Sequence, residues 1–224
     1  MAQIESNSVD LVYCDPPFYV QRNFDKFKDR WSSLSQYLSW VSKRLIKMRR
    51  VMKPTASIYF HCDWHASHYI KIEMDKIFGY DNFQNEIIWR YGLGGSSPKR
   101  WQRKHDVILF YTKSDEWNFN PQMVPATSQR MMGKLKKMDD VWEIPTLNNM
   151  AKERVNYDTQ KPEELLERII LASSKEGDLI LDPMCGSGTT LVVAKRFNRK
   201  YIGIDISEEA INITNQRFMA LERL

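Results

Sequence analysis

The stretch DLILDPMCGSGTTLVVAKRFNRKYIGID at 178–205 limits the possible folds most sharply. It reads as a short apolar strand (178–182), a turn with two glycines, a helix (189–197) and a second strand (200–205) ending on an acid. Two strands separated by a single helix pair in parallel, and the helix then covers one face of the sheet. The rest of the chain repeats this alternation. Residues 9–14 form an apolar, β-branched run that stops at Asp15 and two prolines. Leu34, Tyr37, Leu38, Val41, Leu45, Met48 and Val51 recur at helical spacing over 33–51. KPTAS (53–57) ends that helix, and strand 57–63 and helix 66–78 follow. Two further strands are expected at 85–90 and 106–112. Helix 162–174 opens with Pro162 in its first turn and two glutamates, which favour the positive end of the helix dipole. A last helix runs from Ser207. The expectation is an α/β fold with a mostly parallel central sheet covered on both faces.

Composition adds bounds. A chain of 224 residues with 42% hydrophobic content fits one α/β domain with a small inserted lobe. No apolar run is long enough to span a membrane, and the opening MAQIESNSVD lacks a signal-peptide pattern. Cys14, Cys62 and Cys185 are odd in number and lack a framework spacing, so reduced thiols in a cytoplasmic protein are expected. The net charge of +5 is compatible with a nucleic-acid partner. Residues 113–160 have poor periodicity and read as an irregular lobe, with DVWEIP (140–145) apolar enough to pack. The loop 91–105 is rich in Gly, Ser and Pro and turns basic at PKRWQRKH (98–105).

The glycine turn lacks the lysine of a phosphate-binding P-loop, and Leu191 stands where a dinucleotide fingerprint has its third glycine. It suits a nucleoside-type ligand without a pyrophosphate. The next strand ends in Asp205, whose carboxylate can accept hydrogen bonds from both ribose hydroxyls. In VYCDPPF (12–18), Asp15 and Pro16 each precede a proline and are pushed towards extended backbone. That stiffness aims the Asp15 carboxylate and the Pro16 carbonyl at one point. Two such acceptors can hold both hydrogens of an exocyclic amino group and free its lone pair for attack, while Phe18 offers a face for an extruded base. HCDWHASH (61–68) invites a metal reading. Successive strand residues point to opposite sides, however, so His61 and Cys62 diverge, and no metal site is expected.

Taken together, DPPF, MKPTASI (52–58), TQKPEELLERII (159–170) and DPMCGSGTT (182–190) resemble the β group of amino-group DNA methyltransferases, which make N6-methyladenine or N4-methylcytosine from S-adenosylmethionine. The resemblance covers nearly the whole chain and implies a class I Rossmann-like methyltransferase. By position it implies that Asp15, Pro16, Pro17 and Phe18 hold the target base. Gln160, Lys161, Asp182, Pro183, Gly186, Ser187, Gly188 and Thr189 would bind the methionine end of the cofactor, with Asp205 at the ribose and Ile206 at the adenine. Lys99, Arg100, Trp101, Arg103 and Lys104 would contact DNA, as phosphate ligands and a stacking residue. The implied organisation is a catalytic half (1–112), a target-recognition lobe (113–158) and a cofactor half (159–224).

Asp at the first motif position leans towards adenine within the family. The alternatives are cytosine N4 as target, an RNA or protein amide substrate, and a DNA-binding module that has lost catalysis. Family members often carry a further strand ahead of the catalytic one, beside the adenine pocket, and only eight residues precede Val9 here. A homodimer that covers the resulting sheet edge is therefore expected. A cognate restriction nuclease is the other partner the resemblance suggests.

Overall fold

The structure is a computed structural model that describes residues 1–24, 27–92, 96–155 and 157–221. Strands β1 (Val9–Cys14), β2 (Met52–Cys62), β3 (Phe83–Arg90), β4 (His105–Thr112), β5 (Val141–Glu143), β6 (Leu179–Asp182) and β7 (Lys200–Gly203) form one sheet in the order β7-β6-β1-β2-β4-β3-β5. The run β7, β6, β1, β2 is parallel, β4 is antiparallel to both β2 and β3, and β5 lies parallel to β3. From β1 the chain builds towards β2, and from β6 it builds the other way, towards β7. The β1/β6 boundary is thus a topological switch point, where ligands of open α/β sheets bind beyond the strand ends.

Helices α1 (Leu34–Val51), α2 (Ser67–Phe78), α3 (Glu163–Ser173), α4 (Thr189–Arg196) and α5 (Glu208–Leu221) cover the sheet. Alternation along β1 divides the core. Val12 and Cys14 pack with α1 and α2 through Tyr37, Leu45, Ile70 and Met74. Leu11 and Tyr13 face α3 and α4 through Leu165, Ile169 and Val193. Ser33 caps α1 by accepting the Gln36 N–H at 3.1 Å.

Three features differ from the sequence reading. First, β2 begins at Met52, directly after α1, and its register against β1 shifts between Val9 and Leu11, so that Ser57 is the next partner. Lys53 to Ala56 form the bulge, and its exposed positions are Pro54, with no N–H to donate, and Thr55. Second, the irregular lobe is partly ordered into the sheet. Val141–Glu143 extends it as β5, the Trp89 indole donates to the Ile144 carbonyl at 2.8 Å, and Trp142 is buried. A ribbon of Met123–Pro125 against Leu135–Lys137 accounts for more of the lobe. Third, Pro162 occupies the N-cap position of α3, one residue outside its first turn.

The glycine turn is fixed by close approach. Gly188 caps α4 with φ +75°, and a Cβ there would lie 2.5, 2.6 and 2.9 Å from Oγ1, Cγ2 and Cβ of Thr214. On β7, a Cβ on Gly203 would fall 2.2 Å from Leu191 Cδ1. The glycine that lets helix and strand approach is therefore on the strand, which is how Leu191 is tolerated in the helix. Gly188→Ala combines a left-handed backbone with a clash against a stiff β-branched side chain, and should cost about 1–3 kcal/mol of stability in urea melts.

Candidate active site

A cleft of about 930 Å³ opens at the C-terminal ends of β1 and β6. The register Val12↔Leu181 brings the two Asp-Pro segments side by side there. Beyond β1, Pro17 donates no N–H, and its carbonyl accepts the Tyr37 hydroxyl at 2.7 Å. The chain then turns sharply, with Tyr19 at φ 68° and Gln21 at φ 60°. The turn up to Val20 is held by one buried carboxylate. Asp29 accepts the backbone N–H groups of Phe18 (3.0 Å), Tyr19 (2.8 Å) and Val20 (3.1 Å), and the Trp31 indole N–H at 3.2 Å. Three converging N–H groups form an anion nest, and the buried charge in turn fixes the Asp15–Phe18 segment.

On the other wall, Asp205 accepts the Gly186 N–H at 2.8 Å with one oxygen and the Ser207 N–H at 2.8 Å with the other. It thereby shapes the glycine turn as well as facing the cleft. Asp182 accepts the Met184 N–H at 3.1 Å and the Thr190 hydroxyl at 2.6 Å. Burial nevertheless raises its carboxyl to about 7, against the opposing pull of those two hydrogen bonds. From α5, the buried Arg217 donates to the Ser187 carbonyl at 3.1 Å, the Thr189 hydroxyl at 2.9 Å and Glu163 at 2.6 Å, and so ties the turn to the start of α3. The Lys161 ammonium bonds the Asp15 carboxylate and stands 5.5 Å from the Phe18 ring centroid.

Behind Asp15 lies a polar row. His61 is fully buried, and its Nδ1 lies 3.6 Å from an Asp15 oxygen and 2.9 Å from the Tyr13 hydroxyl. Its Nε2 is 3.3 Å from Asp106, whose other oxygen accepts the Tyr91 hydroxyl at 3.0 Å. Burial would raise Asp106, but the His61 hydrogen bond and charge, Lys161 and Tyr91 together hold it below the usual carboxylate range. His65 turns to Asp63 at 2.8 Å, and among the described residues no three His, Cys, Asp or Glu side chains are grouped to hold a metal ion.

Among the residues singled out from the sequence, Asp15, Pro16, Pro17, Phe18, Lys161, Asp182, Pro183, Gly186, Ser187, Thr189, Asp205 and Ile206 all line this cleft. Gly188 shapes it from behind. Gln160 does not line it, because its side chain donates to the Glu153 carbonyl and accepts the Val155 N–H, both at 2.7 Å, and so anchors the incoming loop. Lys99, Arg100, Trp101, Arg103 and Lys104 lie outside the cleft in the connection from β3 to β4. Trp101 is 93% exposed, and the Arg103 guanidinium lies 3.3 Å over the Trp64 ring. Asp29 and Asp106 were missed, since neither stands in a recognisable pattern. In the sequence His61 stands out only as part of the segment HCDWHASH.

The DNA methylase family model (N6/N4 type) matches residues 9–216. The chain is 34% identical over 222 residues to the type II methyltransferase M.HpaI of Haemophilus parainfluenzae, covering 97% of this chain and 70% of that protein. It is 32% identical over 234 residues to the DNA adenine methyltransferase YhdJ of Escherichia coli K12, covering 97% and 78%. Among solved structures, the M1.HpyAVI–SAM complex superposes with a TM-score of 0.65 at 21% identity, over 94% of this chain and 89% of that one.

The raised Asp182 carboxyl makes stability depend on pH. An unfolded aspartate titrates near about 3.9, so between there and about 7 the folded state holds the extra proton. Its contribution is fully present below the unfolded value and is lost as pH rises through about 7. Urea melts across this range should show stability falling by a few kcal/mol, on the order of the shift, and Asp182→Asn should flatten that slope.

Proposed function

Because the chain belongs to the N6/N4 DNA methylase family, we propose that it moves a methyl group from S-adenosylmethionine to the exocyclic amino nitrogen of a base flipped out of double-stranded DNA, with adenine N6 preferred to cytosine N4. The observation that carries this reading is the meeting of Asp15–Phe18 and the turn at 186–189 in one cleft. The adenine specificity in the name of the Escherichia coli relative supports the target, and the SAM complex of the structural neighbour supports the cofactor.

The donor set fits that cofactor. Each Asp205 oxygen takes one backbone N–H, and a carboxylate has about four acceptor positions, so capacity remains for ribose hydroxyls. Lys161 offers the amino-acid carboxylate a cation, and Ile206, 93% exposed, offers the adenine ring an apolar surface. When bound, S-adenosylmethionine supplies a methyl group made electrophilic by its sulfonium. Asp15 and the Pro16 carbonyl hold the two amino hydrogens, which draws the nitrogen towards tetrahedral geometry and directs its lone pair. Phe18, fixed by the Asp29 nest, stacks on the base. The amino proton leaves to Asp15 or to water, and no covalent enzyme intermediate is involved.

Outside the cleft, Lys99, Arg100, Arg103 and Lys104 serve as phosphate contacts, with Trp101 as a stacking residue. Residues 113–158 act as the recognition lobe between a catalytic half (1–112) and a cofactor half (159–224). No helix among the described residues is long and apolar enough to cross a membrane, and Cys14, Cys62 and Cys185 are all free thiols, which supports a cytoplasmic location. The type II relative supports a cognate restriction nuclease as a partner.

Incubating the protein with DNA and methyl-labelled S-adenosylmethionine, then digesting to nucleosides, should yield labelled N6-methyladenine. Asp15→Ala should lower the rate by about 10²–10³-fold or more, with cofactor binding largely kept. Undiminished turnover in that variant would remove the assignment of Asp15. A homodimer is supported by the position of β7, which has no strand on its outer side among the described residues, beside the exposed Ile206. Light scattering across a dilution series should show the dimer, and the monomer at high dilution should bind cofactor weakly.

A further inference from the structure

We propose that His61 is a positioning residue for this reaction: with Asp106 behind it, it holds the Asp15 carboxylate ionised and in place as the pH falls. The inference rests on the transfer chemistry proposed for Asp15. His61 lies on β2, fully buried, yet both ring nitrogens have polar partners. An ionised Asp106 only accepts, so Nε2, 3.3 Å from it, carries the hydrogen. In the neutral ring Nδ1 is then the acceptor, and the Tyr13 hydroxyl donates to it at 2.9 Å. The same Nδ1 stands 3.6 Å from Asp15 Oδ1. A second proton on His61 would therefore sit at Nδ1, on the side of the ring that faces Asp15 and Tyr13 and away from Asp106.

The surroundings leave this row well defined. The Phe18 and Trp89 rings wall His61 with centroids at 5.2 and 5.5 Å. Tyr91 donates to the far oxygen of Asp106, so the row continues across the sheet to the start of the basic loop. Lys161 bonds Asp15 from the segment before α3, and Asp182 and Tyr157 face Asp15 from the other wall of the cleft, so that the comparison with Asp182→Asn separates the Asp182 titration from that of the row. Asp63, two residues along from His61, turns its carboxylate to His65 instead. A buried ring needed only for packing would have no use for two flanking carboxylates. Here each proton state has a use: the neutral ring accepts from Tyr13, and the cation opposes protonation of Asp15. By reciprocity, the Asp15 charge must favour the cationic form of His61 to the same extent.

Two measurements test this. Single-turnover methyl transfer is followed from about pH 5 to about pH 9 in wild type, His61→Gln and Asp106→Asn, each checked for a native melting transition. In both variants the acidic limb should move up by about one pH unit, with the alkaline rate within a few-fold of wild type and cofactor KM unchanged. A folded His61→Gln whose limb does not move, or whose rate falls equally at every pH, overturns the proposal. Independently of any transfer, nitrogen NMR of the His61 ring is compared in wild type and Asp15→Asn. At a fixed acidic pH, loss of the neighbouring charge should move the ring nitrogen signals towards those of the neutral ring, and unmoved signals overturn the proposal even where His61→Gln does not fold. A wild type that transfers no methyl group would instead strike at the proposed function, leaving the NMR coupling to be judged by itself.

Discussion

The parallel pairing of β1 with β6 is the constraint on which the site depends. Leu11 lies against Ile180 and Val12 against Leu181, so that two strands far apart in sequence end side by side. β1 is followed by Asp15-Pro16 and β6 ends on Asp182 before Pro183, and each proline withholds an N–H from further pairing. Two chain ends therefore leave the sheet together at the point where its winding reverses. A one-residue slip would turn Tyr13 and Leu11 to the other face and separate the carboxylates. The buried alternation along β1 resists that slip, because both of its faces are core.

Of the carboxylates that line the cleft, Asp15, Asp182 and Asp205 are each stabilised differently. Asp15 pairs with Lys161, Asp205 takes two backbone N–H groups, and Asp182 is raised by burial to about 7. Like charges so close favour keeping one of them protonated. Asp182 is the one with least access to water, so burial selects it.

The legible parts of the fold and site were those in which residues close in sequence act together. Helical spacing located α1, Pro162 and two glutamates marked the start of α3, and a glycine turn between apolar strands located one wall of the cleft. DPPF was legible because its stiffness is local. What sequence reading missed is non-local. Asp29 matters because the chain folds back by about ten residues onto the N–H groups of Phe18, Tyr19 and Val20, and nothing in NFDKFKDRW announces that return. Asp106 matters through a neighbouring strand. Gly203 does the packing work expected of a third glycine near Leu191, on the partner element. Gln160 shows the converse case, in which a motif position is correct while its side chain is used to hold the loop at Glu153 and Val155. β5 escaped detection because three residues are too few for periodicity to show.

Charge is segregated across the molecule in a way that suits two unlike ligands. The cleft sets Asp15, Asp29, Asp182, Asp205 and Glu209 against Lys28, Arg44 and Lys161, an excess of carboxylates that favours a small cation such as a sulfonium. The net charge of +5 must then be carried elsewhere, and PKRWQRKH at 98–105 holds a dense share of it on an exposed loop. That loop leaves the sheet at Tyr91, which is hydrogen-bonded to Asp106, and Asp106 reaches Asp15 through His61. The exposed basic loop is thereby joined, through one row of polar side chains, to Asp15. A polyanion steered to the loop would arrive beside the acidic cleft without having to enter it, and only an uncharged base, swung out of the duplex, would meet Asp15.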